Sequence, residues 1–351
     1  MRMLKGTAMK PRCHATPPDP SKVHPTRRTA LKLAAGATLA GSVLSRPARA
    51  ATKLRVLTNF YPESNHGGLY QAVATGIYEK AGLDVTIRPG GPQVNGMQLL
   101  MGGETDIVMG AAISVLGGVE RGVPAIVIMP TFQFDPQVIV TRQDIATLGD
   151  LKGHKILVST LGRGSYWLWL KDRFGLSDEQ VGPYTGNFQP FLQDPTVALG
   201  GVVTSEPYFL RKAGADVKYF LLAHHGYPPY GYPLVAMQDL LSKDRDAVAR
   251  FVRATLEGWK SYMTDPTPGL QAIKQARPDA ADEWLQYAVA TARELKLLNG
   301  GDAQQAGIGV MTDARWQQLA EFMTSVGLLK PTTDWRSGYT TEFVKDLRIT
   351  L

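Results

Sequence analysis

Residues 53–91 read KLRVLTNFYPESNHGGLYQAVATGIYEKAGLDVTIRPGG, and this stretch has the pattern of a strand, a helix and a second strand. Residues 53–58 and 84–88 are rich in apolar and β-branched residues, as strands are. Residues 68–81 carry apolar residues at helical spacing. Because a strand, a helix and a strand in succession are typical of a sheet covered by helices, the sequence predicts an α/β fold with parallel strands.

A second region of the same kind follows a long extended stretch at residues 132–140, which we interpret as a crossover. An aromatic and Pro-rich run at residues 224–233 has the character of a return crossing, and the chain is almost wholly helical from residue 239 onward. The pattern therefore predicts two doubly wound lobes joined by a two-strand hinge. The predicted limits are residues 51–135 plus 239–351 for lobe 1 and residues 136–238 for lobe 2.

The first fifty residues differ from the rest of the chain. Arg27 and Arg28 precede a small, weakly apolar segment at residues 33–44, and Ala48-Arg49-Ala50 follows it. This order matches a Tat export signal with its cleavage site. The apolar segment is too short for a membrane-spanning helix. We expect cleavage after Ala50 and a periplasmic location.

The positive charge of the chain lies in the same fifty residues. The whole sequence has a formal net charge of +7, but residues 1–50 hold ten Lys/Arg and one Asp, so the remainder carries −2. The remainder has no basic surplus, and we expect no nucleic-acid partner. Cys13 is the only cysteine, so a chain cleaved after Ala50 can form neither a disulfide nor a thiolate metal site.

Ligands of open α/β sheets sit at the carboxyl ends of the strands, where small, polar and aromatic residues follow each predicted strand. The candidate ligand-binding residues are Asn59, Phe60, Tyr61, His66, Gly110, Ser114, Gln133, Asp135, Ser159, Thr160, Arg163, Gly164, Ser165, Asn187, Ser205 and Glu206. No catalytic residue, metal ligand or cofactor is predicted.

Several of these residues have an alternative, structural interpretation. Phe60, Tyr61 and His66 can stack on a ring and bond to it, or they can form a packed loop. The turn at residues 159–165 offers backbone N–H groups, hydroxyls and Arg163 to an anion, or it can be a plain N-cap made by Ser165. Glu206 can accept from an amino-bearing ligand or stabilise a helix dipole.

Two further motifs were weighed in the same way. Tyr227, Tyr230 and Tyr232 suit hinge packing or a stacking platform. His224 and His225 are neighbours on an extended segment, so they face opposite sides and do not chelate a metal together easily.

Three segments resemble a known family: YQAVATGIYEKAGLDV at residues 70–85, GETDIV at 103–108 and VTSEPY at 203–208. They resemble the type II periplasmic binding proteins, within the group that holds thiamine-pyrimidine-precursor, nitrate, taurine and aliphatic-sulfonate binders. The resemblance implies a monomeric solute-binding component of an ABC importer. Its partners would be a small-molecule ligand and an inner-membrane permease with its ATPase.

The loop NFYPESNHGG at residues 59–68 is similar to the aromatic-Pro-x-x-x-His-x-Gly stretch of the thiamine-precursor binders. This similarity favours a flat heterocycle, such as a pyrimidine. A small organic anion held by the turn at residues 159–165 is the alternative, and larger rings such as riboflavin stay open. The superfamily also includes a pyrimidine synthase that uses a histidine and iron near a cysteine-rich motif; the lack of cysteine after Cys13 argues against that activity. A sensor that reads the closed state is a further alternative.

Overall fold

The computed structural model describes residues 51–351. The predicted export signal, its cleavage site and Cys13 lie almost wholly in residues 1–50, outside the described part. Within residues 51–351, every helix is too short or too polar to cross a membrane.

The described residues form strands and helices in alternation as far as residue 237 and helices after it. The strands are β1 (Thr52–Leu57), β2 (Leu83–Arg88), β3 (Ile107–Met109), β4 (Ala125–Met129), β5 (Gln137–Thr141), β6 (Ile156–Val158), β7 (Val181–Pro183), β8 (Ala198–Val202), β9 (Lys218–Leu221) and β10 (Leu234–Met237). The helices are α1 (Gly67–Ala74), α2 (Ile77–Lys80), α3 (Gly96–Met101), α4 (Ala112–Glu120), α5 (Thr160–Arg163), α6 (Tyr166–Phe174), α7 (Gln189–Gln193), α8 (Glu206–Lys212), α9 (Gln238–Lys243), α10 (Arg245–Thr264), α11 (Thr267–Ala276), α12 (Asp282–Glu294), α13 (Ala303–Ala306) and α14 (Asp313–Ser325).

The strands form two five-stranded sheets with matching topology. The first sheet has the order β2-β1-β3-β10-β4 and the second the order β7-β6-β8-β5-β9. The fold class is therefore α/β, as predicted, but the sheets are mixed. β10 runs antiparallel to β3 and β4, and β5 runs antiparallel to β8 and β9. Strands β5 and β10 each follow directly after a strand of the other sheet, with no α-helix between. The helical crossover that makes neighbouring strands parallel is therefore missing at these two positions.

The chain crosses between the sheets twice, and the two crossings touch. Phe132 and Gly231 form an antiparallel bridge, with Phe132 N donating to Gly231 O at 2.9 Å and Gly231 N donating to Phe132 O at 3.0 Å. The next residue, Tyr232, has a φ of +47°, in the left-handed region that a tyrosine rarely adopts.

Strand β10 lies in the first sheet, although the predicted second lobe extends to residue 238. The return crossing therefore ends before Leu234.

The helices after β10 pack mainly against the first sheet's helices. α10 lies along α1 so closely that a Cβ on Gly68 would meet the Trp259 ring at 2.3 Å. Trp259 and Trp316 are buried core residues. The helix predicted at residues 68–81 is broken into α1 and α2 at Gly76, whose φ of +69° stops a regular helix.

Candidate functional site

The carboxyl ends of β1, β6 and β8 carry the segments in which most of the predicted site residues lie. These segments are the loop at residues 58–66, the turn at 159–165 and the turn at 203–206. The two crossings run beside them. The predicted site residues in these segments differ widely in exposure and in partners.

Asn59 and His66 are joined at the base of the first loop. His66 Nε2 donates to Asn59 Oδ1 at 2.8 Å. The His66 side chain is 0% exposed, and burial lowers its pKa to about 3. The imidazole is therefore neutral, and its Nδ1 has no partner within residues 51–351. In this conformation His66 is covered by protein, so it does not form an accessible wall of a site.

Phe60 and Tyr61 lie on the other side of the same loop and face solvent. They are 38% and 45% exposed, and their ring centroids are 4.9 Å apart. The Arg277 guanidinium lies 5.5 Å from the Tyr61 ring centroid. The structure thus separates the two exposed rings from the buried imidazole with which the sequence grouped them.

The turn at residues 159–165 bonds largely to itself. Ser159 Oγ accepts from Gly162 N at 3.1 Å and so caps the short helix α5. Ser165 precedes α6 but its hydroxyl makes no capping bond, because it donates to Leu161 O at 2.9 Å. Thr160, Arg163 and Gly164 are exposed. The Ser165 hydroxyl therefore donates within the turn, the Ser159 oxygen accepts there, and Arg163, the single cation of the turn, lies at the surface.

Glu206 begins α8 and folds back on the end of β8. Its Oε2 accepts from Val202 N at 2.6 Å, and its Oε1 accepts from the Tyr184 hydroxyl at 3.2 Å. Burial raises the pKa of Glu206, although the hydrogen bond from Val202 opposes the rise. Ser205 is half-buried beside it. Glu206 stands at the start of a helix, as the structural interpretation expects. Its carboxyl group is also held away from bulk water, as a ligand-binding role would require.

Asp135 and Gln133 lie in the first crossing. Asp135 Oδ1 accepts from Gln137 N at 3.0 Å, and burial raises the pKa of Asp135 to about 7. The Gln133 amide nitrogen donates to Val310 O at 2.8 Å, which turns this buried side chain toward the C-terminal region. Asp135 is therefore the better placed of the two for a role between the sheets.

Three of the predicted residues have other surroundings. Gly110 N donates to Pro233 O at 2.8 Å and so ties β3 to the return crossing. Ser114 is exposed on α4. Asn187 is exposed and its Oδ1 accepts from Gln189 N at 3.0 Å, at the start of α7. Within residues 51–351, no hydrogen bond joins these three residues to the other predicted site residues.

Two residues that the prediction omitted stand at the meeting point of the segments. Burial raises the pKa of Glu63 to about 7, and the nearby Glu206 carboxylate raises it further. Burial also raises the pKa of Tyr232 well above its ordinary value, and the carboxylates of Glu63, Asp135 and Glu206 add to this. We call Glu63, Asp135, Glu206 and Tyr232 the acidic junction. Glu63 lies within the loop that the sequence predicts as part of the site. The other members of the acidic junction come from three distant segments, so the sequence alone does not reveal the environment of Glu63.

Other parts of the described chain show no built site for an ion. No group of three or more His, Cys, Asp or Glu side chains in residues 51–351 has an arrangement that could hold a metal. His224 packs edge-on against Phe134 and His225 against Phe220, so the two imidazoles meet different rings. Of two surface cavities, one of about 480 Å³ lies between α2 and α10 and the other, of about 360 Å³, lies between α6 and α14; neither includes a predicted site residue.

Known structures share this arrangement of sheets and crossings. The periplasmic aliphatic sulphonate binding protein SsuA from Escherichia coli superposes with a TM-score of 0.59 at 16% identity, over 84% of this chain and 99% of that chain. At this identity the likeness establishes the fold, which is that of a periplasmic binding protein.

The family described as NMT1/THI5 like matches residues 63–268. The chain belongs to this family. Among curated relatives, the riboflavin-binding protein RibY of Chloroflexus aurantiacus is 24% identical over 301 residues, 82% of this chain and 84% of the relative. The formylaminopyrimidine-binding protein of Halalkalibacterium halodurans is 21% identical over 235 residues, 65% of this chain and 71% of the relative. Fold and family together make this chain a solute-binding component, as the sequence predicted.

Proposed function

We propose that this chain captures a flat nitrogen heterocycle between its two sheets and delivers it to an ABC importer. A pyrimidine of the thiamine-precursor type is the preferred ligand. The names of the relatives support this choice, since one relative binds riboflavin and another a formylaminopyrimidine. In the proposed mechanism the ligand contacts both sheets and so favours the closed state.

The acidic junction is the observation that carries the proposal. Its three buried carboxyl groups come from the first loop, the first crossing and the turn after β8, and all three raise the pKa of Tyr232 in the return crossing. Carboxyl groups accept hydrogen bonds from amino and ring N–H groups, and an aromatic ring stacks on a flat ligand. Two arginines act on these carboxyl groups, since Arg277 lowers the pKa of Glu63 and Arg315 lowers that of Asp135. Their hydrogen bonds and ring contacts lie elsewhere: Arg315 donates to the Pro228 and Pro229 carbonyls, and Arg277 lies over the Tyr61 and Trp284 rings.

The carboxyl groups of the acidic junction disfavour the alternative ligand, a small organic anion. A sulfonate needs donors or cations, whereas Arg163 is exposed and the Ser165 hydroxyl donates within its own turn. The fold alone does not separate binding from catalysis. Binding is favoured over pyrimidine synthesis because the sequence has no cysteine after Cys13.

The partners and the location belong to the same proposal. We infer a periplasmic, monomeric protein that is exported by the Tat pathway and docks on a permease with its ATPase. The fold of the solved relatives supports the periplasmic assignment. The twin arginines at residues 27 and 28 support the export route.

A ligand screen with site variants tests the proposal. Thermal shift of the purified chain is measured against pyrimidines, thiamine precursors, flavins, sulfonates and nitrate. We expect a rise with an amino-bearing heterocycle, and we expect Asp135→Asn or Glu206→Gln to weaken binding by about tenfold or more, because the amide has one acceptor oxygen where the carboxyl group has two and leaves a buried ligand N–H group unpaired. The exposed Asp172→Asn is the matched control. A rise with sulfonates alone, lost in Arg163→Ala and kept in Asp135→Asn, contradicts the proposal.

A further inference from the structure

The two sheets are bonded to each other through buried side chains. Asn65 follows β1 of the first sheet, and Thr204 follows β8 of the second. Asn65 Nδ2 donates to Thr204 Oγ1 at 2.9 Å, and Thr204 Oγ1 donates to Asn65 Oδ1 at 3.1 Å. The two side chains are 4% and 1% exposed. The second amide hydrogen of Asn65 serves Glu63 Oε1 at 2.9 Å, so the Asn65 amide is fully bonded in this conformation.

Helix α12 makes a second connection to the same turn. Trp284 Nε1 donates to Thr204 O at 3.0 Å, and the Tyr287 hydroxyl donates to Val203 O at 3.3 Å. The helix itself is fixed to the first sheet's side of the molecule. Its Leu285 carbonyl accepts from Ser64 Oγ at 2.8 Å, and Arg293 donates to the Met263 carbonyl of α10.

These bonds can form only while the sheets are close together. The Thr204 hydroxyl bonds to Asn65, and the Thr204 carbonyl accepts from Trp284 of α12. Both partners lie on the side of the first sheet. If the sheets separate, all these groups lose their partners and must be solvated instead. A bonded, buried contact of this kind lowers the free energy of the closed state without help from a ligand.

We propose that Asn65, Thr204 and Trp284 form a latch that holds the two sheets closed in the absence of ligand. The latch sets the closed fraction of the free protein. The apparent affinity for a ligand scales with the fraction of the free protein that is in the binding-competent state. A change in the closed fraction therefore changes the apparent affinity even when the residues of the binding site are unchanged. The inference does not depend on which ligand is bound.

Spin-label distances on the ligand-free full chain test the latch. Val94→Cys and Thr185→Cys place labels on exposed loops after β2 and β7, one on each sheet, in a chain that also carries Cys13→Ser. The latch predicts a distribution dominated by one short distance. Thr204→Val removes both hydrogen bonds between the Thr204 hydroxyl and Asn65, and Trp284→Phe removes the bond to Thr204 O. Each variant is expected to lower the ratio of short to long distances about fivefold or more, and Thr204→Ser is expected to keep the parent ratio.

Matched controls separate a latch from general destabilisation. Thr105→Val removes a buried hydroxyl that donates to Arg55 O within the first sheet. Trp316→Phe removes a buried indole N–H that has no hydrogen-bond partner within residues 51–351. Both are expected to keep the parent distance distribution. If Thr204→Val and Trp284→Phe also keep it, the contact is a fixed interface and the latch is wrong. Trp284→Phe decides the question alone if Thr204→Val does not fold.

Discussion

Glu63 lies in an environment that disfavours the ionised form of its side chain. Its carboxyl group is buried, and burial raises its pKa from the ordinary 4.5 to about 7. The hydrogen bond from Asn65 opposes the rise, and the Glu206 carboxylate adds to it. Between those two pH values the folded state binds more protons than the unfolded state. The free energy of unfolding therefore falls as pH rises through this window.

Glu63→Gln is expected to remove this pH dependence. Glutamine keeps an oxygen that can accept from Asn65 and cannot ionise. Relative to the parent, the variant should gain on the order of 3 kcal/mol in unfolding free energy between about pH 4 and about pH 8, from a pKa shift of this size. Urea unfolding at a series of pH values measures it. Parallel curves for parent and variant would show that Glu63 ionises normally in the folded chain.

Single residues also show where sequence reasoning stops. The sequence points to Asp135 because it lies in the crossover and to Glu206 because it stands between a predicted strand and a helix, and both belong to the acidic junction. Tyr232 was left between two interpretations, because no local pattern reveals a left-handed backbone or three carboxyl groups from distant segments. The bond from Asn65 to Thr204 joins residues 139 positions apart, so only the tertiary arrangement shows it.

At the scale of elements, the contact between α1 and α10 depends on missing side chains. Gly68 lies on the Trp259 ring, and a Cβ on Gly258 would come within 2.4 Å of the Gly68 carbonyl oxygen. The two helices therefore touch through their backbones. Because α1 follows the loop that holds Glu63 and His66, this contact also fixes the loop that lines the candidate site.

Gly68→Ala tests the close contact. The added methyl group has no room, so we expect a loss of about 1–3 kcal/mol in unfolding free energy, the usual cost of overpacking. Gly117→Ala in α4 is the matched control, since the nearest atom to its Cβ is the end of the Arg121 side chain at 3.6 Å. It should gain roughly 0.5–1 kcal/mol from reduced chain entropy. Equal midpoints of urea unfolding for the two variants would contradict the overpacking.

The periodic elements were the most predictable part of the molecule. Strands β1 and β2 begin and end within one residue of the predicted ranges, 53–58 and 84–88. β10 and β7 were missed, because each is short and adjoins a Pro-rich or irregular run without alternation. Helix α4 was missed too: its two glycines, Gly117 and Gly118, weaken the helical pattern, and its stability comes from burial of Val115 and Leu116.

At the scale of the whole molecule, the sequence divides the chain into two chemically different parts. Residues 1–50 carry the excess positive charge, and residues 51–351 carry a slight negative charge and both sheets. A binding protein of this fold works where its permease can reach it. The proposed function therefore requires that the folded part be moved across the inner membrane.

Replacing both Arg27 and Arg28 by lysine is expected to stop export. The Tat pathway reads the arginine pair itself and not the charge, so a charge-conserving change should leave the protein in the cytoplasm. Cell fractionation and immunoblotting measure the result, with Arg46→Lys as the control outside the pair. Unchanged periplasmic protein in the double variant would show that another route carries the chain.

The position of β10 sets the order in which this protein can assemble during its synthesis. β10 lies between β3 and β4, with Leu234 opposite Met109 and Met129. On the ribosome, β3 and β4 emerge with facing edges that have no partner, and all of β5 to β9 follows before β10 appears. The second sheet can therefore be complete while the first still has a gap between β3 and its edge strand β4. The first sheet, whose first strands are synthesised before the second sheet, is therefore the last to be completed. The proposed Tat route suits such a chain, because it exports proteins only after they have folded.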